Sequence, residues 1–223
     1  MSWLQYGGVI ALFFLTHSIP VRPKIRARLV AGLGERGFTL AYSLLSLGML
    51  AAVIAAARHA PFVMIWAQAP WMHHVVFAGM LIVCLIVAYS LGRPNPFSFG
   101  GADNNSFDPR HPGIVGWLRH PVLAALALWA ALHLLPNGDL AHVLLFGIFA
   151  GFAVLGRKLI DRRKKREMTP QHWQATLDSA RRHRPLAPRT ADLPWLLKRT
   201  VIAVTVYACL FVFHSAIIRV PLI

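Results

Sequence analysis

Histidine is the residue type in this chain best placed to do chemistry. Its neutral imidazole ligates iron and other metals, and its charge switches near neutral pH. Of eleven histidines, His17, His133 and His214 fall inside or at the ends of long apolar runs, and His120 opens another. An ionisable group at membrane depth is costly, so it faces the interior of a helix bundle and has a partner there. Two arrangements meet that demand: ligation of a metal or haem iron by histidines from different helices, or a hydrogen bond to a carbonyl on a neighbouring helix. Asp and Glu are nearly missing from the same runs, which leaves carboxylate acid–base catalysis few candidates there.

Spacing limits which histidines can cooperate. His120 and His133 are thirteen residues apart, so on one ideal helix they stand ~20 Å apart and point to largely different faces. They cannot ligate one iron from opposite sides. Depth in the bilayer pairs His17 with His120 near one interface, and His133 with His214 towards the other. His59, His73 and His74 lie in or beside a connection and are solvated; a His-His pair without nearby carboxylate or cysteine is a weak metal signal. His142 is placed to cap a helix beside Asn137-Gly138-Asp139, and His111, His172 and His183 lie in other connections with no assigned role. Cys84 and Cys209 sit in apolar segments as small buried hydrophobes and imply no disulfide framework.

The elements that must position these side chains are hydrophobic helices. Hydrophobic residues make up 57% of the chain and mean hydropathy is +0.54. Apolar runs near 3–19, 38–57, 74–91, 121–135, 142–156 and 195–217 approach the ~20 residues that cross a bilayer, the short fourth and fifth borrowing from their flanks. The expected fold is all-α: a polytopic membrane protein, a bundle of six transmembrane helices, with residues 1–223 as a single domain. Connections 20–37, 92–120 and 157–199 carry 21 of the 23 Lys and Arg, leaving Arg58 and Arg219 for the other side. The positive-inside rule therefore puts those three connections in the cytosol and both termini outside. The first run has no basic leader and no small-residue cleavage site, so it is expected to persist as a helix of the mature chain.

A formal charge of +15 is also a footprint of nucleic-acid binding. Its obvious site would be the block Arg162-Arg163-Lys164-Lys165-Arg166. No zinc-ligand pattern or aromatic RNA-binding motif accompanies that block, and it directly follows an apolar run; anionic lipid headgroups explain it, with no nucleic-acid partner. In connection 92–120, Arg93-Pro94-Asn95-Pro96, Gly100-Gly101 and Asp103-Asn104-Asn105 are turn chemistry. Beyond the basic block, Pro170 restarts a helix whose Trp173, Leu177 and Ala180 share a face, as in a segment lying on the membrane surface. Pro185, Pro188 and Pro194 then break the chain before the last run.

The segment Arg119-His120-Pro121, followed by Leu128-Trp129-Ala130-Ala131-Leu132-His133-Leu134 and Asn137-Gly138-Asp139, resembles the NnrU family of bacterial integral membrane proteins associated with denitrification. The resemblance extends to His17-Ser18, to Tyr42-Ser43-Leu44-Leu45-Ser46 and to Arg93-Pro94-Asn95-Pro96-Phe97. It covers most of 3–160 and thins beyond. The family is in turn similar to plant and cyanobacterial zeta-carotene isomerase, a haem b protein with histidine ligation whose isomerisation depends on the redox state of the iron. That likeness implies haem b as cofactor and points to His133 and His17 as metal ligands, with His120 and His214 ranked after them. It conflicts with the pairing by depth, and either a bend in a helix or a change of ligand would reconcile the two. Arg119 and Arg22, with Arg26, would meet haem propionates at the inner surface, or would simply anchor helix ends to headgroups.

The implied function is that of an NnrU-like protein of the bacterial inner (plasma) membrane, in nitrogen-oxide redox metabolism, with isomerase or redox activity on haem b. Its partners would be the lipid bilayer and respiratory or denitrification membrane proteins. The alternative is a non-enzymatic accessory or assembly factor for a respiratory complex, its histidines serving helix packing alone. A third class, the isoprenylcysteine-type membrane methyltransferases, shares an Arg-His-Pro at a helix start. There an aromatic residue and a glycine follow, whereas here Val122-Leu123-Ala124-Ala125 follows.

Overall fold

A computed structural model describes residues 1–186 and 190–218; Pro188 and Arg219 lie outside the described residues. Seven α-helices follow in order: α1 (Trp3–Ser18), α2 (Pro23–His59), α3 (Pro70–Ser90), α4 (Pro121–Leu134), α5 (Leu140–Met168), α6 (Pro170–Arg182) and α7 (Leu193–Ile218). The described residues contain no strand beyond one isolated bridge between Met64 and Asp139. Four helices, α2, α3, α5 and α7, are long and apolar enough to cross a membrane. At 16 and 14 residues, α1 and α4 reach only ~24 and ~21 Å against a hydrocarbon core of ~30 Å. Each of the six apolar runs is thus a helix, but only four have spanning length. Their surfaces suit lipid: Leu40, Leu44 and Leu47 on α2 are 62, 61 and 63% exposed, and burying such side chains in hydrocarbon gains roughly 1.5–3 kcal/mol each.

The chain divides into two compact units. The first comprises Met1–Ala67 and Gly138–Leu145. Here α1 packs on α2, and a capping box between Ser2 and Gln5 starts α1. Tyr6, 1% exposed, donates its hydroxyl to the Ala141 carbonyl at 2.7 Å. Residues 20–37, expected as a connection, are mostly helix. Pro23 takes a first-turn position of α2, where its missing N–H costs nothing, and the only break is Gly34 at φ +71°. Glycine carries that backbone without a Cβ penalty, and Arg26 and Glu35 pair across the bend at 2.6 Å. At the bridge, Ile65 donates to the Gly138 carbonyl at 2.7 Å and Leu140 to that of Val63 at 2.8 Å. A Cβ on Gly138 would collide with the Trp66 carbonyl. The cap of α5 is Asp139, not His142: its carboxylate accepts the His142 backbone N–H at 3.2 Å and meets the His142 ring at 2.6 Å.

The second unit comprises Gln68–Asn137 and Phe146–Ile223. In it α3 packs against α4 and α7. Val83, Ala125 and Leu132 form one buried cluster, and Cys84, Ala88 and Ala203 another. Arg199 of α7 donates to the Ala88 and Leu91 carbonyls, both at 3.1 Å, satisfying the end of α3. The connection between α3 and α4 is tied down by Asn95. Its side chain donates to the Arg119 carbonyl at 3.1 Å and accepts the Phe97 N–H at 3.0 Å, leaving Phe97 fully buried. Helix α6 forms where Pro170 and its face of Trp173, Leu177 and Ala180 place it. That face does not meet lipid: Trp173 and Leu177 pack with Phe97 and Val115. The amphipathic pattern is satisfied by protein because the turn-rich connection supplies an apolar surface of its own.

Candidate functional site

Two groups of polar side chains stand out in the second unit, one at the start of α4 and one near its end. Pro121 begins α4 and places His120 at its N-cap in a non-helical conformation, φ −118° and ψ 69°, with Arg119 and His120 reaching Asp161 on α5. There Asp161, seven residues beyond Val154 on the same helix, receives both. Arg119 grips the carboxylate with two bonds, Nη2 to Oδ2 at 2.6 Å and Nε to Oδ1 at 3.0 Å, the fork geometry that makes such pairs strong. His120 Nε2 lies 2.9 Å from Asp161 Oδ1, and its Nδ1 lies 3.0 Å from Ser98 Oγ. A carboxylate only accepts, so Nε2 carries the proton and the Ser98 hydroxyl donates to Nδ1. His120 is 4% exposed. Burial pushes its pKa below the ordinary 6.5, with Asp161 opposing and Arg119 and Arg157 adding to the depression. The imidazole is therefore neutral at pH 7.

Serine, histidine and aspartate in one chain of hydrogen bonds share the membership of a nucleophilic triad. The geometry does not serve that chemistry. Ser98 is 3% exposed and does not line the adjoining cavity, so its hydroxyl has no approach for a substrate carbonyl. What the network does is hold Asp161 and Arg119 rigidly at the wall of an open cavity of about 320 Å³. That cavity is also lined by Arg157, Lys158 and Arg181.

Near the other end of α4, His133 Nδ1 lies 2.9 Å from the Trp129 carbonyl one turn earlier. That bond fixes the tautomer with the proton on Nδ1 and leaves Nε2 as a lone-pair donor, the form in which histidine ligates a metal. The ring is flanked by Trp129 and Phe146, at centroid distances of 4.9 and 5.4 Å. His214 lies in the last turns of α7, in the same compact unit. In the first unit, His17 repeats the arrangement. Its Nδ1 lies 2.8 Å from the Phe13 carbonyl, and its ring stacks on Phe13 at 4.1 Å. The Tyr42 hydroxyl donates to the His17 carbonyl at 2.9 Å. Arg22 is the exposed N-cap residue of α2.

Of the six side chains picked from the sequence, Arg119 and His120 meet at Asp161, His133 and His214 lie elsewhere in the second unit, and His17 and Arg22 belong to the first unit. In His120 both ring nitrogens are engaged, whereas in His133 and His17 the bonds described leave Nε2 available. Among the described residues no three His, Cys, Asp or Glu side chains converge as a metal cage; a haem asks for one or two imidazoles only. Sequence reasoning missed Asp161, Ser98 and Asn95. The signal for Asp161 was present, since it is the single acid within the basic stretch from Arg157 to Arg166.

Apolar helices of spanning length, and histidines seated within apolar helices, define an α-helical protein of membrane character. The match to a family is more specific. The model of the NnrU family, described as NnrU protein, covers residues 7–222, and the chain belongs to that family. The match runs past residue 160, where the visible motifs thin out, and takes in α6 and α7. No curated protein and no solved structure matches the chain.

Proposed function

We propose that this NnrU-family chain is a bacterial inner-membrane protein that binds haem b through His133 and serves nitrogen-oxide redox metabolism. All six apolar helices are membrane-embedded in this reading, with both termini outside. The distribution of Lys and Arg, 21 of 23 in three connections, supports the orientation. Neighbouring helices and flanking residues make up the length that α1 and α4 lack.

The observation that carries the haem reading is the hydrogen bond from His133 to the Trp129 carbonyl. It orients the ring and directs the basic nitrogen away from its own helix, as second-shell bonds do for metal-ligating histidines. Trp129, itself packed on buried Phe146 and Phe149, gives the surroundings of His133 the aromatic, apolar character that suits a macrocycle. His17 has the same tautomer and is the ligand candidate of the first unit. His214 of α7 is a further candidate imidazole within the second unit. When bound, haem b supplies an iron that changes redox state, which suits either electron transfer or a redox-gated isomerisation. The protein's part is to ligate, to orient and to keep water from the iron.

The test is the absorption spectrum of detergent-purified protein expressed with ample haem. A Soret band that shifts on reduction is expected, lost or strongly weakened in His133→Ala and retained in His120→Asn. A wild-type spectrum without a Soret band overturns the haem reading. Co-purification of a respiratory subunit with that cofactor-free protein would mark it instead as an accessory factor.

A further inference from the structure

The cavity beside Asp161 carries more positive charge than its own network uses. Arg119 is neutralised by the bidentate bond to Asp161. Arg157, Lys158 and Arg181 also line the cavity, and no carboxylate pairs with any of them among the described residues. Three cations held around one concave surface repel each other unless an anion joins them. Asp161 occupies one corner and repels a second anion there, so the open position lies on the side of Arg157, Lys158 and Arg181. The same lining includes the apolar side chains of Leu118, Ala124 and Val154, Val154 sharing a face of α5 with Arg157 and Lys158. Val154 marks where the hydrophobic stretch of α5 gives way to Arg157. Trp117, 54% exposed, also lines the cavity, and tryptophan is the residue that favours headgroup depth.

We propose that this cavity binds a phosphate group, that of an anionic phospholipid headgroup whose chain runs along Leu118, Ala124 and Val154, or free phosphate. Two guanidinium groups recognise phosphate oxygens in pairs, and a lysine adds a point charge. The apolar residues in the lining are the feature that favours the lipid. Asp161 and His120 act as positioning residues: they keep Arg119 folded back, so that the cavity stays open to the ligand. The site is distinct from His133 and does not depend on haem.

Detergent-purified full-length protein is titrated with dihexanoyl phosphatidylglycerol, dihexanoyl phosphatidylcholine and inorganic phosphate, following tryptophan fluorescence, to which Trp117 on the cavity wall contributes. Saturable binding of phosphatidylglycerol is expected, weakened by about tenfold or more when Arg157→Gln and Lys158→Gln are combined. The charge-matched pair Arg162→Gln with Arg166→Gln, on exposed residues that do not line the cavity, is expected to shift affinity by less than about twofold. Phosphatidylglycerol binding about tenfold tighter than inorganic phosphate assigns the lipid; equal affinity assigns free phosphate. Phosphatidylcholine binding as tightly, equal losses in both double variants, or no saturation by any titrant would overturn the proposal. The Soret absorbance of the same samples is expected to be unchanged in the cavity variant, so failure of this site and failure of the haem reading are told apart.

Discussion

His120 shows how position changes the meaning of a residue type. Set at the start of α4, it is bonded on both nitrogens and buried, and the neutral form is the one this environment holds. Protonating it in the folded state places a cation beside Arg119 and Arg157 and breaks the bond from Ser98. The sign of the pH dependence follows. A histidine whose folded pKa lies below the ordinary 6.5 contributes its stability above that value. The contribution is lost as pH falls through the folded pKa, because the unfolded chain then binds the extra proton. Thermal midpoints of purified protein are therefore expected to fall as pH drops below about 6.5, with a shallower fall in His120→Asn. An identical pH profile in the variant would show that the network does not set it. His133, thirteen residues later, has no carboxylate bond among the described residues and keeps Nε2 for another partner, and no count of histidines separates these two roles.

Elements were legible where their cause is local. The six apolar runs each became a helix, with Pro23, Pro70, Pro121 and Pro170 in the first turns of α2, α3, α4 and α6. The misread stretch was 20–37, where basic residues and glycines suggested a connection. Lys24, Arg26, Ala27, Arg28 and Leu29 are good helix formers whatever their charge, and the chain continues as α2 through a bend at Gly34. Nothing lies within 4 Å of a Cβ built there, yet φ is +71°. Gly34→Ala is thus expected to cost about 1–3 kcal/mol through backbone strain alone. It should either lower the thermal midpoint or straighten α2. Spin labels on Arg28 and Thr39 would read the straightening as a longer distance; an unchanged distance with an unchanged midpoint would refute the assigned strain. The face of α6 was legible as well, since Trp173, Leu177 and Ala180 are the buried positions. What covers it was not, because amphipathic spacing is the same whether the apolar partner is lipid or protein.

At the level of the molecule, charge distribution and helix packing speak to different questions. The proposed orientation predicts that a cytosolic reporter fused after Glu167 is active, whereas a reporter of the outer compartment fused ahead of Trp3 is active instead. The reverse pattern would place the Arg157 cavity and the basic block outside and remove the anionic inner leaflet as their environment. Membership of the NnrU family, over residues 7–222, agrees with the motifs from Arg119 to Asp139 and extends them to α7. Family motifs and bonding partners are different kinds of information. Arg119-His120-Pro121 was visible as a motif, but its partner Asp161 lies 42 residues from Arg119 on another helix.

Hydrophobic runs, the imbalance of basic residues between connections, and the position of each histidine along a run are properties of the linear chain. They follow from composition and order alone, since lipid sorts segments by transfer free energy one helix at a time. Which carboxylate meets Arg119, what covers Trp173 and which imidazole nitrogen stays free depend on how helices and loops return to one another. Those outcomes are set by side-chain packing and hydrogen-bond satisfaction across dozens of residues, and they exist only once the helices have docked.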